Sequence, residues 1–494
     1  MKSFLSALFL SVAMTLSASS AAAQSAGSVP ESLFVLKTAA APNLESRSSI
    51  ASVQEAEIEF SGANIAGESG RLIAVPLFDG SIHLASRNYV ETRAMDDYTW
   101  TGRLTTDKFG GDVSLTFRKG HVSGLIQAGD AVYEIVPRGG RHFLVEVDQR
   151  LYPECGGGLA AAKQGLPAAS GAAAAAGVDS GDRIDVLVVY TTATKNFVGG
   201  DAQAQALAQQ AVDAANLAYA NSRMRQRIRM VHAAEHMYVE SGNASTDLSN
   251  LRANATIQAL RNTHKADLVA MIGEVTGVCG IGYIAGTAGA SESGYTVTAR
   301  SCAVGNLSFA HELGHNMGSH HNPENGGTAI YPYGYGHYVN GVFRTVMSYS
   351  DPCPSGCTRR PYFSNPAVTF SGYATGIHNE RDNARSMDNT ADVMANYRYS
   401  GASITLTTFA GADALPRRIW RTVAWTSDNV NGNVRIELSR DEGVTWETLV
   451  ASTPNDGAES ISVGGGPTRR ARLRIVSVND QAISDTNVGS LTLR

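Results

Sequence analysis

Between Phe309 and His321 the chain reads FAHELGHNMGSHH, and this segment restricts the fold more tightly than any other. His311 and His315 are four residues apart, so on a helix both imidazoles lie on one face and can meet one metal ion. Glu312 follows the first histidine, where its carboxylate can take a proton from an attacking water and pass it to a leaving amine. Gly318 predicts that the helix stops there, because a glycine at positive φ turns the chain back and lets His321 supply a third imidazole. His320 is one place out of this spacing and is expected at the surface or beside the site. A bare H-E-x-x-H arises by chance, but the full pattern fixes five residues over eleven positions.

At 494 residues the chain exceeds one ordinary domain, and its punctuation suggests where it divides. Residues 1–23 read as a secretory signal, with Lys2 ahead of an apolar stretch from Phe4 to Leu16 and Ala21–Ala23 as a small-residue cleavage site. That stretch is shorter than the roughly 20 residues a membrane span needs, so an exported, extracellular protein without a membrane span is expected. Residues 24–155 alternate apolar and polar positions in short runs such as DVSLTFRKG and AVYEIVP, the pattern of a β-rich domain. The Gly/Ala-rich stretch 156–182 reads as an exposed linker. Residues 183–400 alternate strand and helix patterns, beginning with the continuous apolar run IDVLVVYT, and predict an α/β domain with a mixed sheet. Residues 401–494 return to seven short strand runs, as in an immunoglobulin- or fibronectin III-like β-sandwich. Trp420, Trp425 and Trp446 fall there and are expected in its core. The net charge of −5 and the lack of a basic run give no footprint for nucleic acid.

Downstream of the histidines comes Thr345-Val346-Met347-Ser348-Tyr349. With this second motif the chain resembles the metzincin zinc endopeptidases, and within them the reprolysin (adamalysin)-like group. The order of β-rich propeptide, catalytic domain and β-sandwich is most similar to the bacterial peptidyl-Asp metalloendopeptidases. The resemblance implies one catalytic Zn2+ on His311, His315 and His321, with Glu312 as general base. It also implies Met347 as an apolar floor under the histidines and Tyr349 as a hydrogen-bond donor to the oxyanion. Reprolysins usually carry Asp after the third histidine, where this chain has Asn322. The wall of the pocket for the residue after the scissile bond would contain Arg359 and Arg360, able to pair with an acidic side chain and so to favour cleavage before Asp. A thermolysin-like alternative needs a downstream Glu ligand and leaves Gly318, His321 and Met347 without a role. A catalytically silent adhesion protein working through its C-terminal β-sandwich is the alternative from another class, and the intact Glu312 speaks against it.

Five cysteines complete the inventory. Cys353 and Cys357 can staple a short loop and Cys279 and Cys302 can brace the segment before the helix, although other pairings remain open. Cys155, left over at the end of the β-rich domain, suits a latency switch in which its thiolate is a fourth zinc ligand until the linker is cut. Protein or peptide substrates and a monomer are expected. Calcium remains an open second metal, with no EF-hand or nonapeptide pattern to place it.

Overall fold

A computed structural model describes residues 30, 32–37, 49, 51–62, 64–105, 110–160, 177–285, 291–409 and 413–494. The expected signal segment and residues 161–176 of the expected linker lie outside the described residues.

The N-terminal part is one antiparallel sheet of nine strands, from Phe34–Leu36 to Arg141–Val147. Its tight connections at Lys119–Gly120, Gly129 and Gly139–Gly140 carry positive φ, which matches hairpins joining successive strands. One apolar cluster of this sheet surrounds the fully buried Trp100, whose indole N–H donates to the Gly70 carbonyl at 2.7 Å.

The central part holds a mixed six-stranded sheet. Strand Arg183–Thr191, the expected apolar run, lies parallel between Arg227–His236 and Leu268–Gly273. Tyr295–Ala299 continues the sheet in parallel, and Gly280–Ile284 joins it antiparallel. The sixth strand corrects an expectation: Gly158–Ala160, read as exposed linker, pairs parallel with Gly280–Ile284. Its backbone finds an open strand edge there, and hydrogen bonding to an edge needs no apolar side chains.

Helix Asp201–Asn221 packs on this sheet with its Ala-rich side and is buried on almost every face. The reason is that the N-terminal sheet covers its other side. One apolar cluster contains Leu125, Val132, Val136 and Val145 of that sheet together with Leu207, Ala211 and Ala215 of the helix. Two short helices, Ala244–Ala253 and Ala255–Thr263, follow one another directly, with Asn254 capping the second through its side chain. Helix Asn383–Met394 buries Ala384, Met387, Ala391 and Met394, which share one face at helical spacing.

The C-terminal part contains a three-stranded and a six-stranded sheet that share one apolar cluster, including Val423, Trp425, Ile436 and Ile475. Of its tryptophans only Trp425 is core. Trp420 at the strand start is 70% exposed, and Trp446 is half-buried beneath the Arg474 guanidinium. Strand alternation explains the first case: Val423 and Trp425 share the inward face, and Trp420 lies at the other parity. No helix among the described residues is long and apolar enough to cross a membrane.

Candidate metal centre

Helix Ser308–Asn316 lies wholly inside the protein and presents His311, Glu312 and His315. Asn316 anchors its end, donating from Nδ2 to the carbonyls of Tyr283 and Ser293 at 2.8 and 2.7 Å. Gly318 then adopts φ of +81° as the sequence predicted. The Gly318 and Ser319 N–H groups close the helix onto the His315 and Gly314 carbonyls, both at 2.9 Å. This reversal returns His321 towards the two helical histidines.

The Nε2 atoms of His315 and His321 stand 3.0 Å apart. The ligand atoms of Cys155, His311, His315 and His321 all lie within 4.8 Å of one another. Each imidazole is turned to this point by a hydrogen bond on its far side. Nδ1 of His311 donates to the Val346 carbonyl at 2.8 Å, that of His315 to Ser319 at 2.9 Å, and that of His321 to Asn325 at 3.3 Å. With Nδ1 protonated, every Nε2 carries a free lone pair aimed inward. Burial holds all three rings neutral, pulling His321 down to about 4 and the other two well below the usual imidazole value.

Two buried atoms here have no partner among the described residues, His311 Nε2 and Glu312 Oε1. Leaving such atoms bare costs free energy, and a cation between the histidines with a water beside Glu312 would satisfy both. Three imidazole nitrogens and a thiol are the donor chemistry that zinc prefers. Burial raises the Glu312 carboxyl to about 8.

Met347 lies under the helix, so close that a Cβ on Gly314 would fall 2.5 Å from its sulfur. The Tyr349 ring packs on His321 with centroids 4.0 Å apart, and its hydroxyl donates to the Cys155 carbonyl at 2.9 Å. Cys155 Sγ is 3.6 Å from both Glu312 Oε2 and His315 Nε2. His320 is held away by its chain, accepting the Gly327 N–H at Nδ1. Both suggested bridges, Cys279–Cys302 and Cys353–Cys357, are formed, and Cys155 is free.

The two arginines part company. Arg359 is buried near the site, 3.8 Å from Glu154, whereas Arg360 points to Asp130 of the N-terminal sheet and covers the Phe370 ring. Arg344 and Glu154, neither of them singled out from the sequence, lie with Arg359. Their signal was adjacency alone: Glu154 precedes Cys155, and Arg344 precedes the Met347 turn.

A buried helix bearing H-E-x-x-H, a returning third histidine and a methionine beneath them define a metallopeptidase centre. Residues 180–364 match the Metallo-peptidase family M12, of reprolysin type. A peptidyl-Asp metalloendopeptidase of Xanthomonas campestris pv. campestris is 30% identical over 416 residues, covering 78% of this chain and 97% of the relative. Two proteins of the same name from Stenotrophomonas maltophilia strains R551-3 and K279a are 31% and 29% identical, covering 59% and 69% of this chain and 72% and 82% of their own. The chain belongs to this reprolysin-like family of peptidyl-Asp metalloendopeptidases and is a zinc metalloendopeptidase, a hydrolase of peptide bonds.

Proposed function

We propose that the chain is the precursor of a secreted endopeptidase that cuts proteins before aspartate and stays latent until its linker is cleaved. The observation that carries this reading is the convergence of three inward Nε2 atoms and the Cys155 thiol on one point beside Glu312. In this reading His311, His315 and His321 hold one zinc ion. When bound, zinc supplies a Lewis acid that polarises the peptide carbonyl and acidifies water. Glu312 takes the proton of the attacking water at its carboxylate and delivers it to the leaving nitrogen. Tyr349 donates its hydroxyl to the carbonyl oxygen as negative charge develops there. Its contact with the Cys155 carbonyl supports this role, since a peptide carbonyl already sits where a substrate's would. Met347 closes the floor beneath the histidines. The preference for aspartate rests on the peptidyl-Asp activity for which the relatives are named and on a buried arginine near the site.

Residues 24–155 act as the propeptide, 183–400 as the catalytic domain and 401–494 as an appended β-sandwich. Cys155 blocks the site as the fourth ligand, and cutting within 156–182 frees it.

The test is the full chain beside its Glu312→Ala and Cys155→Ala variants, followed for zinc content, processing and casein cleavage. Wild type and Glu312→Ala should each bind one zinc, and only wild type should cleave. Cys155→Ala should be active before processing. Zinc-loaded wild type that never cleaves casein or itself would instead make the C-terminal β-sandwich the working part.

A further inference from the structure

The residue before the blocking cysteine turns away from the histidines into a different site. Glu154 Oε1 accepts the Ser350 backbone N–H at 2.8 Å and also the Ser350 hydroxyl, and Oε2 lies 3.8 Å from Arg359 Nη2. The Arg359 side chain is 2% exposed. It is fixed by the carbonyls of Asn306 and Ser348, at 2.9 Å from Nη1 and 3.2 Å from Nη2, and its Nε has no partner among the described residues. Arg344 is equally buried and donates to the same Ser348 carbonyl at 2.8 Å. Two guanidinium groups are therefore packed together in the interior. Among the described residues, Glu154 is the one carboxylate ion-paired with either.

Buried cations need an anionic neighbour. Here it stands on the segment that must leave when the enzyme matures, so the mature protein keeps the two guanidinium groups and loses the carboxylate that pairs with them. Only an acidic group arriving from outside restores it. Ser350 directly follows Tyr349, whose hydroxyl holds the Cys155 carbonyl, so this acid site adjoins the reacting position. The polarity of the chain says which substrate residue enters. The segment continues as Gly158–Ala160, parallel to the strand edge Gly280–Ile284. On the premise that substrate adds to that edge as an antiparallel strand, it runs the opposite way. It therefore places the residue after its scissile bond where this segment places the one before Cys155.

We infer that Arg359, Arg344 and the Ser350 N–H and hydroxyl form the pocket for the acidic side chain that follows the scissile bond, and that Glu154 fills it in the precursor. This rests on the endopeptidase reading above. Arg359 and Ser350 touch the acid, while Arg344 adds charge and fixes the shared carbonyl. Arg360 stacks on the Phe370 ring and pairs with Asp130 instead, so it lies outside this pocket.

The test takes processed wild type and Arg359→Gln and measures kcat/KM on peptides differing only by Asp or Asn after the scissile bond. The Asp-over-Asn ratio should fall about tenfold or more in Arg359→Gln. An unchanged ratio would overturn the pocket. A wild type that cleaves neither peptide nor casein would overturn the endopeptidase reading instead. Should Arg359→Gln fail to fold, a peptide of residues 152–158 carrying Cys155→Ser keeps the test open. It should bind processed wild type about tenfold more tightly than the same peptide with Glu154→Gln, and equal binding would sink the inference.

Discussion

Asn322 departs from the aspartate expected after the third histidine, and its contacts explain why an amide serves. Its Oδ1 accepts the Tyr349 backbone N–H at 3.0 Å and the Ser348 hydroxyl at 3.4 Å. Its Nδ2 donates to Glu324 Oε2 at 2.9 Å and Asn325 Oδ1 at 2.6 Å. The side chain therefore ties the His321 loop to the turn that carries Met347. An aspartate would keep both acceptor roles but face the Glu324 carboxylate, which Asn322 and Arg381 help hold down near 2 against the effect of burial. Asn322→Asp should cost on the order of 1–3 kcal/mol at neutral pH, because a buried donor is replaced by a like charge. The readout is a lower Tm together with weaker zinc binding through the loosened His321. An unaltered Tm and zinc affinity would mean that the amide's donor role is dispensable.

At the scale of the element, the metal-binding helix depends on how it ends. A Cβ on Gly318 would lie 2.3 Å from Ile330 Cδ1, at a backbone φ that L side chains rarely adopt. Gly318→Ala should therefore shift the reversal and draw His321 from the other two imidazoles, at about 1–3 kcal/mol of strain. A zinc titration should show at least about tenfold weaker binding, with the helix itself retained in circular dichroism. Wild-type affinity would mean that the turn tolerates a side chain. This end of the site was legible in the sequence because its rules are local: helical spacing brings His311 and His315 together, and a glycine marks the reversal. Strand Arg183–Thr191 was legible for the same reason, as a continuous apolar run. Features fixed by distant pairing were not. Gly158–Ala160 carries the composition of a linker and becomes a strand only because Gly280–Ile284 offers an edge. Arg359 and Arg360 are adjacent and chemically alike, and only the tertiary fold sends one to Glu154 and the other to Asp130. Gln209, Gln210 and Asp213 look like a solvated helix face, yet all three are buried. The Thr116 hydroxyl stands within hydrogen-bond distance of Gln210 Oε1 and Asp213 Oδ2, at 2.8 and 2.5 Å, so the N-terminal sheet serves as the solvent of that face.

Across the whole molecule, the N-terminal sheet leads into the segment that places Cys155 beside the centre and also leans on the segment leading to the metal helix. Glu134 lies at that second contact. Its Oε1 accepts the Gly305 N–H at 3.0 Å and the Tyr152 hydroxyl at 3.4 Å. Burial raises this carboxyl to about 7, a shift that the Gly305 and Tyr152 hydrogen bonds and the nearby Arg300 charge reduce without cancelling, while Glu55 adds to it. The folded, docked state thus binds a proton more tightly than the unfolded chain, whose carboxyl stays near the ordinary value of roughly 4.3. Its contribution is fully present below that value, declines as pH rises, and is lost once pH passes about 7. The difference between the two values corresponds to on the order of 3 kcal/mol of weakened docking at alkaline pH. Glutamine imitates the protonated acid, so Glu134→Gln should remove this dependence. Precursor and variant, each also carrying Glu312→Ala to prevent self-cleavage, should melt together near pH 4.5. The variant should become the more stable as pH rises through 7. Parallel melting curves at every pH, or a wild type that gains on the variant as pH rises, would show that Glu134 is already ionised in the docked state. The grip of the N-terminal sheet would then be independent of its proton.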